Sequence, residues 1–504
     1  MKTYIRYALL FALATISVSC EDWLDATASS EIREKDHYST EEGFRQSLIG
    51  CYINMTDPKL YGKELSWFLP EILARQFSPY TTAVPTAEYY LQNYSYQATG
   101  AVTRVEEMWA QAYNVIVNAN AALAEIDARR GVLEPINYNV FKGELLAIRA
   151  YMHFDLIRLF GYGNWAGRPA EVNAKYAVPY LTTVNKKQTP QLSMEDFFKQ
   201  LTADLAEAAR LLEDDPITGK HEWSEYTALN EEGFYNYRNL HLNYFAVRAL
   251  QARVYLWEGS LASKKLALEA AEEVIRKFFE QDGKMGKFNV FRWMGAEETA
   301  SYPALALEQI FALNINGGNF TSYTAAYLKP NYQDTDLSAF HLTPEAATEL
   351  YENSNSDYRF TKLLNFSSSA ASLQGYAPTK LEQSRGLSLY SNRIPMIRMS
   401  EMYYIAAECY ATGSEPDLAL AIERLTTVRR QRGVFEELDP AMDAEAIMDE
   451  IRKEYRKEFL CEGVVFYLYK RFGQPMIPNY DKEMTDKQYV LPYPEYELRM
   501  GRVQ

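Results

Sequence analysis

Cys20 is the residue whose chemistry is indicated most clearly by its neighbours. It follows two cations, Lys2 and Arg6, an apolar run from Tyr7 to Ile16, and three small residues. This order is typical of a secretory signal peptide. Cleavage before Cys20 would place its thiol at a new N-terminus, where several acyl chains would anchor the protein at about 0.8 kcal/mol per buried methylene. We therefore predict a signal peptide over residues 1–19 and lipidation at Cys20; the alternative is an ordinary signal peptide followed by an incidental cysteine.

Aromatic side chains are concentrated in two stretches that lack a helical period, from Tyr61 to Tyr96 and from Phe288 to Tyr332. Flat apolar rings beside amide and guanidinium donors suit sugars, whose faces are rich in C–H groups and whose rims carry hydroxyls, and suit peptides nearly as well. The alternative is that most of these rings fill core beneath long loops. The predicted ligand-binding residues are Trp67, Arg75, Tyr80, Tyr89, Tyr90, Tyr94, Trp293, Asn319, Tyr323 and Tyr327.

The sequence carries no recognisable catalytic or metal-binding motif. Its five histidines have no metal-ligand spacing, and the zinc-protease, nucleophile-elbow and phosphate-loop patterns are missing. His153 lies in a segment that is apolar on nearly every face, which predicts a buried core histidine. We predict no catalytic residue, no metal ligand and no cofactor, and therefore a protein that is not an enzyme. Chance carboxylate pairs keep a glycoside hydrolase as an alternative.

Composition limits the partners of the chain. Its 52 Lys and Arg against 67 Asp and Glu give a net charge of −15. Loss of residues 1–19 would remove Lys2 and Arg6 and leave 50 cations against 67 anions, a net charge of −17. Such a surface repels nucleic acid and anionic headgroups. We therefore predict no nucleic-acid partner.

The remaining cysteines do not indicate a disulfide scaffold. Cys51, Cys409 and Cys461 are an odd number without CxxC spacing. One disulfide among them stays open as an alternative. Cys409 falls in a helical apolar stripe, which predicts a buried, inert thiol.

Helical periodicity dominates the chain beyond the leader and predicts an all-α fold with little β structure. The predicted helices are Thr40–Asn54, Thr103–Ala128, Asn139–Phe160, Ser193–Leu212, Leu240–Glu258, Ser263–Phe279, Ser400–Ala411, Pro416–Arg432 and Asp443–Phe472. Ser193, Ser263 and Asp443 are predicted as N-caps, and Gly433 and Gly473 as C-terminal stops.

Two segments, 249–271 and 406–421, have alanines at spacings that resemble tetratricopeptide-like helical pairs. Long non-helical stretches separate them, so we predict a helical core with large aromatic insertions. Three charged residues in the apolar segment around His153, namely Arg149, Asp155 and Arg158, must be paired or lie at an edge. Arg398 and Glu401, three residues apart, are predicted to form a local helical pair.

Taken in order, these features are similar to the SusD/RagB family, the surface lipoproteins of Bacteroidota. The segments that carry the resemblance are Cys20-Glu21-Asp22-Trp23-Leu24-Asp25, Gly43-Phe44 with Gly50-x-Tyr52, Trp109-x-x-x-Tyr113, Arg149-Ala150-Tyr151, Asp155-Leu156-Ile157-Arg158-Leu159-Phe160-Gly161, Arg393-x-Pro395-x-Ile397-Arg398, Glu462-Gly463 and Leu491-Pro492-x-Pro494. Each segment alone is weak evidence, but their number and order make the resemblance specific.

The resemblance implies a lipid-anchored leader over 20–38 and one SusD-like body over 39–504, with an N-terminal part (39–220) and a C-terminal part (221–504). It also implies a location on the exterior face of the outer membrane, as a lid over a SusC-like TonB-dependent outer-membrane channel that receives captured nutrient, usually an oligosaccharide. The alternatives are a peptide-binding member of the same architecture and a non-catalytic scaffold that binds only proteins.

Overall fold

The computed structural model describes residues 36–79, 85–284, 289–315, 318–328, 340–370, 373–382 and 390–504. The signal peptide, Cys20, most of the predicted leader and Tyr80 lie outside the described residues. In the described part of the chain, no helix is long and apolar enough to cross a membrane.

Helices make up most of the described chain. In the first half they are α1 (Glu41–Met55), α2 (Leu69–Ala74), α3 (Ala87–Gln92), α4 (Thr99–Ile126), α5 (Pro135–Phe160), α6 (Pro169–Asn173), α7 (Met194–Leu211), α8 (Trp223–Thr227), α9 (Tyr244–Glu258) and α10 (Leu261–Lys277). They continue with α11 (Ala296–Ser301), α12 (Gly318–Leu328), α13 (Pro344–Leu350), α14 (Tyr358–Leu363), α15 (Met399–Thr412), α16 (Leu418–Gln431), α17 (Ala444–Glu458), α18 (Val465–Phe472), α19 (Asp486–Tyr489) and α20 (Glu495–Arg499). A π-helix, Glu64–Phe68, directly precedes α2.

The strands form small two-stranded antiparallel sheets. They are β1 (Tyr176–Pro179) with β2 (Gln191–Ser193), β3 (Gln309–Asn314) with β6 (Arg393–Arg398), and β4 (Leu364–Ala370) with β5 (Leu373–Pro378). The predicted all-α class with little β structure is confirmed.

Helix ends follow local chemistry at most of the predicted positions. The Ser193 side chain accepts from the backbone N–H of Asp196, and Asp443 caps α17 in the same way. Gly433 and Gly473 have φ of 80° and 59°, a left-handed conformation that suits glycine after a helix. Ser263 is wrong as an N-cap, because the cap of α10 is Ser260, whose side chain accepts from the N–H of Ser263 at 3.2 Å.

The predicted single helix Asp443–Phe472 is wrong, because the chain turns between α17 and α18. Gly463 has φ 67°, and a Cβ on it would lie 1.8 Å from the carbonyl oxygen of Ser66. Its N–H donates to Glu71 Oε1 at 2.8 Å. The close approach of Gly463 to the π-helix and α2 therefore imposes the turn. The helical periodicity of the sequence gives no sign of this turn, because the contact is with a distant segment.

The two predicted helical pairs are confirmed, and they pack together. A two-residue turn at Gly259, with φ 74°, joins α9 to α10, and α15 packs against α16. Helix α10 also lies against α15, so pairs that are far apart in sequence form one helical layer. The aromatic insertions are less irregular than predicted, since they contain the π-helix, α2, α3, β3 and α12.

The charged residues of α5 are paired, as predicted. Arg149 donates through Nε and Nη2 to Asp204 at 2.7 and 2.6 Å, and Arg158 pairs with Asp155. His153 is fully buried: Nδ1 lies 2.8 Å from the Arg149 carbonyl, and Nε2 accepts from the N–H of Leu181. Burial lowers the pKa of His153 to about 3, which confirms a neutral core histidine.

The predicted local pair of Arg398 with Glu401 is wrong. Arg398 ends β6 and precedes α15, so the two residues do not share a helical turn. Arg398 instead donates to Glu458 Oε1 at 2.6 Å, while Glu401 accepts from Arg253 Nε at 2.5 Å. The buried arginines thus join distant elements.

The three described cysteines are buried and unbridged, so the open alternative of a disulfide among Cys51, Cys409 and Cys461 is excluded. Burial raises the pKa of the Cys51 thiol to about 12. The prediction that Cys409 is a buried thiol is confirmed.

Buried carboxylates make the free energy of unfolding depend on pH in the acid range. Burial alone would raise the pKa of Glu144 and Glu454, but Arg238 and Arg359, respectively, outweigh it and lower both to about 2, against an ordinary 4.5. A carboxyl with a lowered folded-state pKa stabilises the fold fully above pH 4.5, and that contribution is lost as the pH falls toward 2. Urea unfolding should therefore show a steep fall of the free energy of unfolding as the pH drops below 4.5. Equal stability at pH 6 and pH 3 would contradict this expectation.

Candidate functional site

A groove of about 1010 Å³ lies between three segments of the described chain. They are the turn after α3, the connection from the end of α5 to β1, and the C-terminal segment around α19. Five tyrosines line it: Tyr94, Tyr96, Tyr162, Tyr176 and Tyr493. The other lining residues are Ser95, Gln97, Ala98, Phe160, Ala174, Lys175, Asp486, Lys487, Val490, Leu491, Pro492 and Gln504. We refer to it as the tyrosine groove.

The floor of the tyrosine groove is held by ring stacking and backbone hydrogen bonds. Phe160 and Tyr493 stack with centroids 6.0 Å apart at 8°, and Trp109 packs edge-on against both. The N–H of Leu491 donates to the carbonyl at the end of α5, 3.1 Å away. The Tyr96 hydroxyl donates to the carbonyl of Gln488 at 2.5 Å. These contacts fix the C-terminal segment on α5, so its rings are positioned before any ligand arrives.

Strained backbone occurs at Tyr94, which lines the groove, and at Arg75 in a neighbouring segment. Tyr94 and Arg75 have φ of 55° and 53°, and neither is glycine. The Tyr94 hydroxyl donates to the carbonyl of Leu73 at 2.8 Å, and Arg75 Nη1 donates to that of Gln92 at 2.6 Å. Such conformations cost of order 1–3 kcal/mol and cluster at ligand sites. Burial lowers the pKa of Arg75, whose guanidinium lies 5.1 Å from the Tyr480 ring centroid. Among the described residues, its Nε has no hydrogen-bond partner.

Of the predicted residues in the first aromatic stretch that the structure describes, Tyr94 alone lines the groove. Arg75 does not line it, and its Nη1 donates to the carbonyl of Gln92. Tyr89 and Tyr90 are half-buried on α3, with ring centroids 6.0 Å apart. Trp67 is 0% exposed and belongs to the core. Tyr80 is outside the described residues.

The predicted residues of the second stretch lie elsewhere. Tyr323 and Tyr327 are half-buried on α12, with Lys63 Nζ at 5.8 and 5.3 Å from their ring centroids. Tyr323 also lines a cavity of about 170 Å³ with Glu64 and neighbouring charged residues.

Two further predicted residues belong to separate environments. Trp293 packs against Phe279 and Tyr403 at the helical pairs, with centroids 5.4 and 5.5 Å apart. Asn319 lies in α12, but its side chain is outside the described part of the structure. The predicted set is therefore distributed over several places, and its role in ligand binding stays a prediction.

Sequence reasoning missed four of the five groove tyrosines. Tyr96 lies in the first aromatic stretch but is not among the predicted ligand-binding residues. Tyr162 lies in the Gly161-Tyr162-Gly163 turn, Tyr176 begins β1, and Tyr493 lies within Leu491-Pro492-x-Pro494. All three lie outside the two aromatic stretches on which the prediction is based, although Tyr162 and Tyr493 have aromatic neighbours such as Trp165 and Tyr489. Only the packing of the C-terminal segment against α5 brings the three together.

Family comparisons cover most of the chain. A model described as SusD family matches residues 315–499, and another, described as starch-binding associating with outer membrane, matches residues 22–229. The chain belongs to the SusD/RagB family. The two matched ranges lie on either side of the helical pair α9–α10 of this SusD/RagB protein. Residues from both ranges line the tyrosine groove.

Relatives of this SusD/RagB protein are divergent in sequence. SusD-like protein P38 of Formosa agariphila is 21% identical over 500 residues, covering 91% of this chain and 89% of the relative. A SusD superfamily structure from Bacteroides thetaiotaomicron has a TM-score of 0.70 at 21% identity, covering 92% of this chain and 99% of that one. Surface glycan-binding protein A from the same organism, solved in complex with laminarihexaose, has a TM-score of 0.65 at 16% identity. The match covers 92% of this chain and 99% of that one. At these identities the structural likeness shows the fold.

Proposed function

We propose that this protein is a cell-surface lipoprotein that binds oligosaccharides in the tyrosine groove and passes them to a TonB-dependent outer-membrane channel. The groove is the observation that carries the proposal. Its volume of about 1010 Å³ lies at the upper end of the roughly 300–1,000 Å³ typical of small-molecule sites. Tyrosine faces on its walls can stack on the C–H faces of sugar rings, while hydroxyl, amide and ammonium groups at the rim can bind hydroxyls.

Membership of the SusD/RagB family supports binding without catalysis. The matched description names starch binding and outer-membrane association, and one structural neighbour was solved with a glucan hexasaccharide. Delivery to a channel requires release as well as capture. A standard free energy of about −4 to −8 kcal/mol, which corresponds to millimolar to micromolar dissociation constants, meets both needs.

A glycan array followed by titration calorimetry tests the binding site. Tyr176 is 51% exposed and lines the groove, so Tyr176→Ala should weaken oligosaccharide binding about threefold to tenfold through loss of ring stacking. Tyr496 is also 51% exposed but does not line the groove, so Tyr496→Ala is a matched control that should bind normally.

Three outcomes would contradict the proposal. Equal binding by both variants would remove the groove as the site. A protein that bound peptide mixtures and no glycan would be a peptide-binding member of the same architecture. Release of reducing ends by the purified protein would show that it is a hydrolase.

A further inference from the structure

The wall of the tyrosine groove carries two lysines without carboxylate partners. Lys175 is half-buried beside β1, and Lys487 is exposed on α19. Within the described ranges, neither ammonium group has an Asp or Glu oxygen at ion-pair distance. Lys142 and Lys220, by contrast, each contact a carboxylate.

The carboxylate on the same wall is already neutralised. Asp486 accepts from Arg168 Nη1 at 2.8 Å and from Nη2 at 2.5 Å, a two-point contact that matches the geometry of both groups. The hydrogen bond to Asp486 is the main reason why the pKa of Arg168 is raised. Arg168 also donates to the carbonyl of Gly163, which fixes the pair in place. Counted together with Arg168, which lies outside the lining, the side chains of Lys175, Lys487 and Asp486 carry two positive charges that are not compensated. The α-carboxylate of Gln504 stands against these two charges, so the local charge is positive.

The ammonium group of Lys175 lies over a ring that lines the groove. Its Nζ lies 4.8 Å from the centroid of the Tyr162 ring, a cation–π distance. The ring thus holds the ammonium group over the groove without neutralising its charge. A sugar stacked on a neighbouring tyrosine would place a carboxylate or sulfate against a cation of fixed position.

This local charge is opposite to that of the whole protein, which is −15. At 0.1 M salt, charges more than about 10 Å apart are largely screened. A ligand inside the groove therefore responds to the two lysines more than to the distant acidic surface. Focusing of one sign of charge in a cleft selects ligands of the other sign.

We propose that the tyrosine groove takes acidic oligosaccharides, with carboxylate or sulfate groups bound by Lys175 and Lys487 and sugar faces stacked on the tyrosines. This inference rests on the proposed glycan-binding function and narrows its substrate class. Uronic acids and sulfated sugars share the necessary chemistry.

The test compares charged oligosaccharides with their neutralised forms on the full-length protein. Oligogalacturonides and their methyl esters form the carboxylate arm, and carrageenan oligosaccharides with their desulfated forms provide the sulfate arm. A glycan array of acidic and neutral oligosaccharides is run in parallel. We expect binding of a charged form in one of the arms or on the array, and weakening of that binding as sodium chloride rises from 0.05 to 0.5 M.

Variants of the two lysines assign the effect to the groove. Lys175→Gln with Lys487→Gln should weaken binding of the charged form about twofold to thirtyfold, since exposed ion contacts contribute about 0.2–1 kcal/mol each, and should leave neutral forms unchanged. Lys199→Gln with Lys453→Gln removes the same net charge from exposed sites outside the groove, so this control should bind normally.

The outcomes separate this inference from the proposed function. Tyr176-dependent binding of neutral oligosaccharides alone would overturn the acidic-ligand inference and leave glycan binding intact. Binding of an acidic oligosaccharide that ignores the two lysines would also overturn it. Failure of every glycan to bind would remove the proposed function and this inference together.

Discussion

Glu458→Ala is expected to lower the free energy of unfolding by about 3–5 kcal/mol, because it removes the shared partner of three buried arginines. Glu458 is 1% exposed and accepts from Arg398 at 2.6 Å, Arg432 at 2.7 Å and Arg359 at 3.3 Å. Burial alone would raise the pKa of Glu458, but Arg432 and Arg398 hold it well below its ordinary value. Without this carboxylate, the three cations would lie close together in the core with reduced compensation. Urea unfolding at pH 7 measures the loss.

An exposed ion pair provides the control for this substitution. Glu207 pairs with Arg210 on α7, where the two side chains are 42% and 63% exposed. Glu207→Ala should change the free energy of unfolding by less than about 0.5–1 kcal/mol. A loss below 1 kcal/mol for Glu458→Ala would mean that the buried arginines find other partners, and would refute the assigned role.

Local signals explain why so many helix boundaries could be predicted from the sequence. A cap such as Ser193 or a left-handed glycine such as Gly433 acts within a few residues, so its effect can be deduced from neighbours. The turn at Gly463 depends on the approach of Ser66, almost four hundred residues away in sequence. The pairing of Arg398 with Glu458 is likewise a contact between separate elements. Neither contact can be predicted from the spacing of residues in the sequence.

The sequence predicted which type of residue lines the candidate site, but not which residues of that type do so. Aromatic density correctly indicated stretches rich in tyrosine, and Tyr94 within them lines the groove. The same density also marked Trp67, which is fully buried, because large rings contribute the most apolar area to a core. Tyr162, Tyr176 and Tyr493 join the groove through tertiary packing alone. Their aromatic neighbours in sequence, such as Trp165 and Tyr489, are buried, so local composition does not separate groove rings from core rings.

Cys20→Ser is expected to abolish fatty-acid labelling of the protein and to remove it from the cell surface. Cys20 follows the predicted signal peptide, and its thiol is the proposed site of acylation. Each buried methylene of an acyl chain contributes about 0.8 kcal/mol to membrane attachment, so several chains together dominate it. In the described part of the chain, no helix could replace them by crossing the membrane. Metabolic labelling with a clickable fatty acid and antibody staining of intact Bacteroidota cells measure the two effects.

Cys409→Ala separates loss of the anchor from loss of a thiol in general. Cys409 is 2% exposed, and burial raises the pKa of its thiol, so this side chain is neither accessible nor reactive. The Cys409→Ala protein should keep its label and its surface staining. If Cys20→Ser remained labelled and displayed on intact cells, attachment would have to arise elsewhere in the chain. The proposal that a lipid at Cys20 holds the tyrosine groove outside the cell would then be wrong.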